Sequence, residues 1–201
     1  ATGTEFSIAD LIGRAPTGVV RAELWVGVTE RQALRFAYAP LRLRGSGRAE
    51  TAIVFAHGSF APGPLEAEYR FSSFRGTWRY RVYRGPTWTW HAGVTAFVRD
   101  ARIALTQSGS TAEDTDVGFV PLGYLSGEAR LAERWSFGFE VDGSAAPQGR
   151  AFDIAATINY RPRSALTLSA GYRTIEGGAD VDAVYTFAWL NAGIVRLTVG
   201  F

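Results

Sequence analysis

The sequence predicts an all-β chain, closed into an antiparallel up-and-down transmembrane β-barrel of about ten strands, or eight if the first fails, because single-chain barrels of this type have even strand numbers. Three observations carry this expectation. Apolar and polar residues alternate with period two from end to end, and no helical stripe interrupts them. The connections between alternating segments are short and long by turns. Aromatic residues gather towards the ends of the segments and leave an aliphatic middle.

In chain order the expected strands are Gly3–Ala9, Val19–Val28, Ala33–Arg44, Leu65–Arg84, Thr87–Gln107, Val117–Leu131, Trp135–Ser144, Ala151–Arg161, Ala165–Ile175 and Val184–Phe201. Ala151–Arg161 is the plainest: Phe152, Ile154, Ala156, Ile158 and Tyr160 share one face, and Asp153, Thr157, Asn159 and Arg161 share the other. Before it, Trp135, Phe137, Phe139 and Val141 alternate with Ser136, Gly138, Glu140 and Asp142. After it, Leu166, Leu168, Ala170 and Tyr172 alternate with Thr167, Ser169, Gly171 and Arg173. Most segments reach the roughly 9 to 11 residues with which a tilted strand crosses a bilayer. Gly3–Ala9 is the shortest.

Thr29–Gln32, Gly85–Pro86, Ala132–Arg134 and Pro162–Ser164 read as tight turns. Asp10–Gly18, Gly45–Pro64, Ser108–Asp116, Ala145–Arg150 and Glu176–Asp182 read as longer loops. Membrane barrels segregate their connections in this way, short turns periplasmic and long loops extracellular, whereas a soluble lipocalin-like barrel has no reason to. The whole of 1–201 is expected to form this single domain. The longest loop, Gly45–Pro64, either folds inward or stands as a hairpin.

Trp78, Tyr80, Trp88, Trp90, Trp135, Phe137 and Tyr160 fall near the short turns, and Tyr69, Phe71, Tyr172, Tyr185, Phe187 and Trp189 near the long loops, giving two interfacial girdles. Tyr69 and Phe71 have odd numbers while Phe74, Trp78 and Tyr80 have even ones. Placing all five on a lipid face requires a bulge near Ser72-Ser73.

Of the 201 residues, 47% are hydrophobic and 20% charged, and no run approaches the eighteen or so apolar residues of a spanning helix. A helical membrane protein is thereby excluded, while a barrel, whose two faces dilute the apolar signal, is not. Cysteine is absent, which closes disulfide, thiolate-metal and cysteine-nucleophile chemistry. All 21 basic residues are Arg, suited to permanent charge in bidentate pairs. With a net charge of +2 and Arg interleaved with Asp and Glu, nucleic acid is not an expected partner. The start Ala1-Thr2-Gly3-Thr4-Glu5 reads as a mature protein after signal-peptide removal.

The last strand, Ile194-Val195-Arg196-Leu197-Thr198-Val199-Gly200-Phe201, resembles the C-terminal signature of bacterial outer-membrane barrels, in which the terminal aromatic is the signal read by the barrel-assembly machinery. Glu68-Tyr69-Arg70-Phe71-Ser72-Ser73-Phe74-Arg75 followed by Tyr80-Arg81-Val82-Tyr83 resembles small uncharacterised outer-membrane barrels. These resemblances imply an integral protein of a Gram-negative outer membrane, monomeric, without cofactor, meeting lipid and lipopolysaccharide. They imply no activity.

If the apolar face meets lipid, the other face turns a dense set of charges inward: Arg21, Glu23, Arg35, Arg75, Arg79, Arg81, Arg99, Glu128, Glu140, Asp142, Asp153, Arg161, Arg173 and Arg196, with Glu66, Glu68 and Arg70 beside them. A lumen this narrow is filled by side chains or holds one small ligand. Buried charges are tolerated when paired. The expected function is therefore a plugged barrel with a structural or surface-interaction role, the alternative a narrow, porin-like channel for small solutes or ions. A second alternative is lipid hydrolysis. His57-Gly58-Ser59 places a histidine and a serine on one face of an extended segment, and resembles the His-x-Ser of outer-membrane phospholipases and lipid A deacylases, with Glu66 or Glu68 as the orienting acid. His91 reads as a satisfied inward histidine, and Glu113-Asp114-Thr115-Asp116 as a solvated acidic loop.

Overall fold

The computed structural model describes residues 4–13, 16–146, 149–181 and 184–201. One helix is present among them, the five-residue α1 (Ile8–Ile12), so no helix is long and apolar enough to cross a membrane. The strands are β1 (Ala22–Gly27), β2 (Gln32–Ala49), β3 (Ile53–Phe55), β4 (Gly58–Phe60), β5 (Gly63–Arg84), β6 (Trp88–Gln107), β7 (Ser110–Arg130), β8 (Trp135–Ala146), β9 (Gly149–Arg163), β10 (Leu166–Val181) and β11 (Val184–Val199). Nine of them form one antiparallel sheet in the order β1-β2-β5-β6-β7-β8-β9-β10-β11, and β3 pairs with β4 as a separate hairpin. No pairing joins β1 to β11 among the described residues, so β1 and β11 are the edges of the sheet.

The strict alternation of the later strands gives clean ladders. β8 and β9 pair from Trp135↔Tyr160 to Ala146↔Gly149, and β10 and β11 from Leu166↔Val199 to Val181↔Val184, while β9 and β10 have one irregularity between Leu166 and Leu168. A slip of one residue anywhere in these ladders would exchange the two faces, which fixes the register.

Three sequence expectations are corrected. The first strand, Gly3–Ala9, does not form: 4–7 is irregular and α1 begins at Ile8. The sheet has nine strands, not ten. The long loops are largely strand. β2 runs on to Ala49, β5 begins at Gly63, and the hairpin lies between them; β6 and β7 are separated by only Ser108 and Gly109. β8 and β9 likewise extend to Ala146 and Gly149, and β10 and β11 to Val181 and Val184. Gly, Ser and Pro in these stretches suggested loops because the apolar runs are short, but neighbouring ladders hold the backbone extended. With 18, 22, 20 and 21 residues, β2, β5, β6 and β7 are up to about twice as long as a bilayer crossing needs.

The chain divides into two compact units: residues 1–24, 36–75 and 97–119 form the first, and 25–35, 76–96 and 120–201 the second. The first has an apolar core of Leu11, Ala49, Ile53, Phe60, Leu65, Ala67, Leu105 and Ala112, with Phe6, Phe55 and Ala56 packed on it. Each large side chain buried there contributes about 1.5–3 kcal/mol. The N-terminal segment is fastened to the hairpin. The Thr4 amide donates to the Val54 carbonyl at 3.0 Å, the Val54 amide donates to Thr4 Oγ1 at 3.0 Å, and Phe6 meets Phe55 edge to face at 5.5 Å. Gly47 permits the seat of α1: a Cβ there would collide with the Leu11 backbone.

In the second unit the polarity is reversed. Its charged face is the buried one, carrying Arg35, Thr77, Thr95, Asp142, Asp153 and Arg173, whereas Val26, Trp78, Val94, Ile158, Leu168 and Val195 are exposed. Single strands pass through the change. On β5, Leu65, Ala67, Arg75 and Thr77 are buried on the odd positions, while Glu66, Phe74, Trp78 and Val82 are exposed on the even ones. The bulge expected at Ser72-Ser73 is not needed, because each face changes chemistry and keeps its parity. Tyr69 and Phe71 are therefore not girdle residues: Phe71 lies 6.4 Å from Phe97, itself buried beneath the Arg75 guanidinium. Glu66, Glu68 and Arg70 lie on the opposite face, not among the inward charges.

Candidate functional site

The most concentrated chemistry among the described residues is on the buried face of the second unit. Arg35, wholly inaccessible, donates from Nη2 to Asp142 Oδ2 at 2.7 Å and from Nε and Nη2 to Thr77 Oγ1 at 3.2 and 2.8 Å. Thr77 and Thr95 share a hydrogen bond of 2.8 Å, and Thr95 donates to Asp142 Oδ1 at 2.5 Å, so Thr77 is the donor to Thr95. A closed ring results, Arg35 to Thr77 to Thr95 to Asp142, with Arg35 also bonding Asp142 directly. β2 and β8, which supply its two charges, stand four steps apart in the sheet order, so this part of the sheet curls back until its polar face meets itself.

Around the ring, Glu140 Oε2 lies 3.6 Å from Arg35 Nη1 and 3.5 Å from Arg196 Nη2. Trp25 and Tyr124 flank the Arg35 guanidinium at 5.4 and 5.0 Å. A second buried pair is bidentate: Arg173 donates to Asp153 from Nε at 2.6 Å and from Nη2 at 2.9 Å. Such pairs hold their energy because neither charge sees water, and removing one partner would strand the other.

Beside the ring a cleft of about 220 Å³ is lined by Arg79, His91, Glu128, Glu140, Arg161 and Arg196 with several hydroxyl and amide side chains. Arg161 is 4.0 Å from Glu128, which also accepts from Ser136 at 2.7 Å. Arg79 stacks on Trp25 at 3.9 Å. Among the other expected inward residues, Arg21 pairs with Glu23, and Arg99 pairs with Asp116 at 2.6 Å, both in the first unit. Arg75 covers Phe97, and the Arg81 amide donates to the Arg31 carbonyl at 2.8 Å.

Several of the aromatic residues pack on one another, and four have their polar tips hydrogen-bonded. Trp88 stacks on Trp90 at 5.3 Å and Trp90 meets Phe139 at 5.2 Å, while Trp135 and Tyr160 pair at 4.8 Å. Trp78 Nε1 donates to Gln32 at 3.1 Å, and Tyr80 accepts from Arg31 at 3.3 Å. Tyr172 donates to Asn191 at 2.7 Å and Trp189 Nε1 to Thr174 at 2.8 Å. Tyr185 lies outside the described side chains. Phe201 follows β11 and is fully exposed.

The His57-Ser59-Glu68 constellation is not assembled. Ala56 and His57, at φ 46° and 66°, form the two-residue turn between Phe55 and Gly58, so His57 is not on an extended segment with Ser59. Ser59 pairs across the hairpin with Val54. Glu68 is occupied by Arg42, at 3.0 Å to each oxygen, and by Arg44 at 2.6 Å. The hydrogen bond from Arg42, reinforced by Arg44, holds the Glu68 carboxyl below its ordinary range. The acidic stretch at 113–116 is strand, not loop, and Glu113 pairs with Arg102. Tyr69 is buried, which pushes its phenol up to about 12. No group of three His, Asp or Glu able to hold a metal occurs among the described residues.

What sequence reasoning lacked was the pairing. Thr77 and Thr95 are central to the ring, yet a threonine on a strand carries no signal of its own, and the Arg35–Asp142 bond joins residues 107 positions apart. Comparison of the chain with protein-family models, with curated proteins and with solved structures gives no match.

Proposed function

We propose that the chain is an integral β-barrel of a Gram-negative outer membrane, largely plugged by its own charges and serving a structural or surface-interaction role. One observation carries the reading: the strands of the second unit expose large apolar side chains, among them Val26, Trp78, Val94, Ile158, Leu168, Val195 and Val199, while an ionic network is buried. In water an apolar surface of that extent is a liability, whereas in lipid it is the required one. The engaged tips of Trp78, Tyr80, Tyr172 and Trp189 suit headgroup depth. The first unit differs in having an apolar core, with Arg42 and Arg44 outside it. Nine antiparallel strands run β1 and β11 in the same direction, so closure of this barrel requires a parallel seam, which would satisfy the edge groups that hydrocarbon cannot.

Refolding into detergent micelles followed by electrophoresis with and without heating tests this. A compact unheated band that converts on boiling is expected; a protein soluble without detergent and unchanged by heat would remove the reading. A second reading, a narrow conduit, is favoured by the polar cleft. Single-channel recording separates the two, with a flat trace for the plug.

A further inference from the structure

The charges of the cleft do not balance. Three arginines line it, Arg79, Arg161 and Arg196, against two carboxylates, Glu128 and Glu140. Glu140 is already shared between Arg196 and the buried Arg35, and Arg161 reaches Glu128 only at 4.0 Å. Among the described residues Arg79 forms no ion pair, and its Nε is buried without a hydrogen-bond partner. Its guanidinium carbon lies 3.9 Å from the centroid of the Trp25 ring. A guanidinium stacked on an indole is held in orientation while its in-plane N–H edge stays available, the fork geometry that matches an oxyanion. Desolvating a cation without a counter-charge is costly, and an anion in the cleft would offset that cost. Ser126, Asn159, Ser169 and Thr198 also line the space and can supply neutral donors to the remaining oxygens.

We propose that this cleft binds a small oxyanion, a carboxylate or phosphate group on a compact solute, with Arg79 as the anchoring cation and Trp25 as its positioning residue. The inference needs only the folded polar face of the second unit and does not depend on the membrane reading. The test is calorimetric titration of the full chain, refolded in uncharged detergent at constant ionic strength, with inorganic phosphate and separately with acetate. Saturable binding of at least one is expected. It should weaken on the order of tenfold or more in Arg79→Gln, as for loss of a charge-assisted bidentate contact. It should recover in part in Arg79→Lys and stay unchanged in Arg48→Gln, an exposed arginine of the first unit. Trp25→Ala keeps the charge and loses the orientation, so it should weaken binding less than Arg79→Gln. Should Arg79→Gln not refold, Arg79→Lys and Trp25→Ala carry the comparison. Absence of saturable binding by the folded wild type, or wild-type affinity in Arg79→Gln, would overturn the proposal, whatever the electrophoresis shows about the barrel.

Discussion

Arg35 and Arg42 stand on the same strand, seven residues apart and therefore on opposite faces. Arg35 is wholly buried and bonded to Asp142; the side chain of Arg42 is 54% exposed and bonded to Glu68. Between them β2 passes from the second unit to the first. Along it the buried arginine gives way to an exposed one, while the alternation of side chains is unbroken. The same residue type thus does two different jobs. Arg35 neutralises a carboxylate where water is excluded, and Arg42 pairs with Glu68 at the surface.

The difference can be broken first at Asp142. Asp142→Asn would leave Arg35 buried without its main counter-charge and should cost about 3–5 kcal/mol in denaturant unfolding from micelles. The apolar face comes next. Leu168→Arg should cost about 2–4 kcal/mol in bilayer folding if the position lies near the midplane. A variant that refolds into lipid like the wild type would show that this face does not meet hydrocarbon. A gain is expected at the β3–β4 turn. Ala56 and His57 both hold positive φ, where side chains with a Cβ are strained and Asn-Gly is favoured, so the double substitution to Asn-Gly should stabilise the hairpin by about 1 kcal/mol, read by amide exchange at Ile53 and Phe60. The smallest effect belongs to Glu68→Gln, a few tenths of a kcal/mol as for exposed pairs. Its folded pKa is lowered, so the contribution is present above the ordinary carboxylate range and fades as pH falls through and below that range. Acid titration of the wild type against Glu68→Gln should show the gap closing at low pH.

Alternation made the later strands legible. The alternation predicts β9 over Ala151–Arg161, and it occupies Gly149–Arg163, because one face is apolar and the other polar over that stretch. β5 was harder for a physical reason. Period two shows that two faces exist, but the identity of the inward one is inferred from chemistry, and the chemistry inverts where the surroundings change. Tyr69 and Phe71 on the odd positions and Phe74 and Trp78 on the even ones therefore looked like a slip. The hairpin at 53–60 was hidden for another reason: its turn is Ala-His, without the Gly or Asn that mark such turns. The charged members of the network were visible as residues, but not their partners, since strand order and curl decide which face each other.

The span of the Arg35–Asp142 bond also bears on how the chain is built. Glu140 and Asp142, which meet Arg35 among the described residues, come from β8, whereas Arg35, its partner Thr77 and the neighbouring Thr95 lie on β2, β5 and β6. A chain threaded only as far as β7 holds the cation and the two hydroxyls in place with neither carboxylate to receive them. Were those strands committed to a medium that solvates charge poorly, the step would be penalised until the eighth arrives. On the proposed membrane reading, the ring would act as a latch that rewards completed assembly and keeps premature insertion reversible.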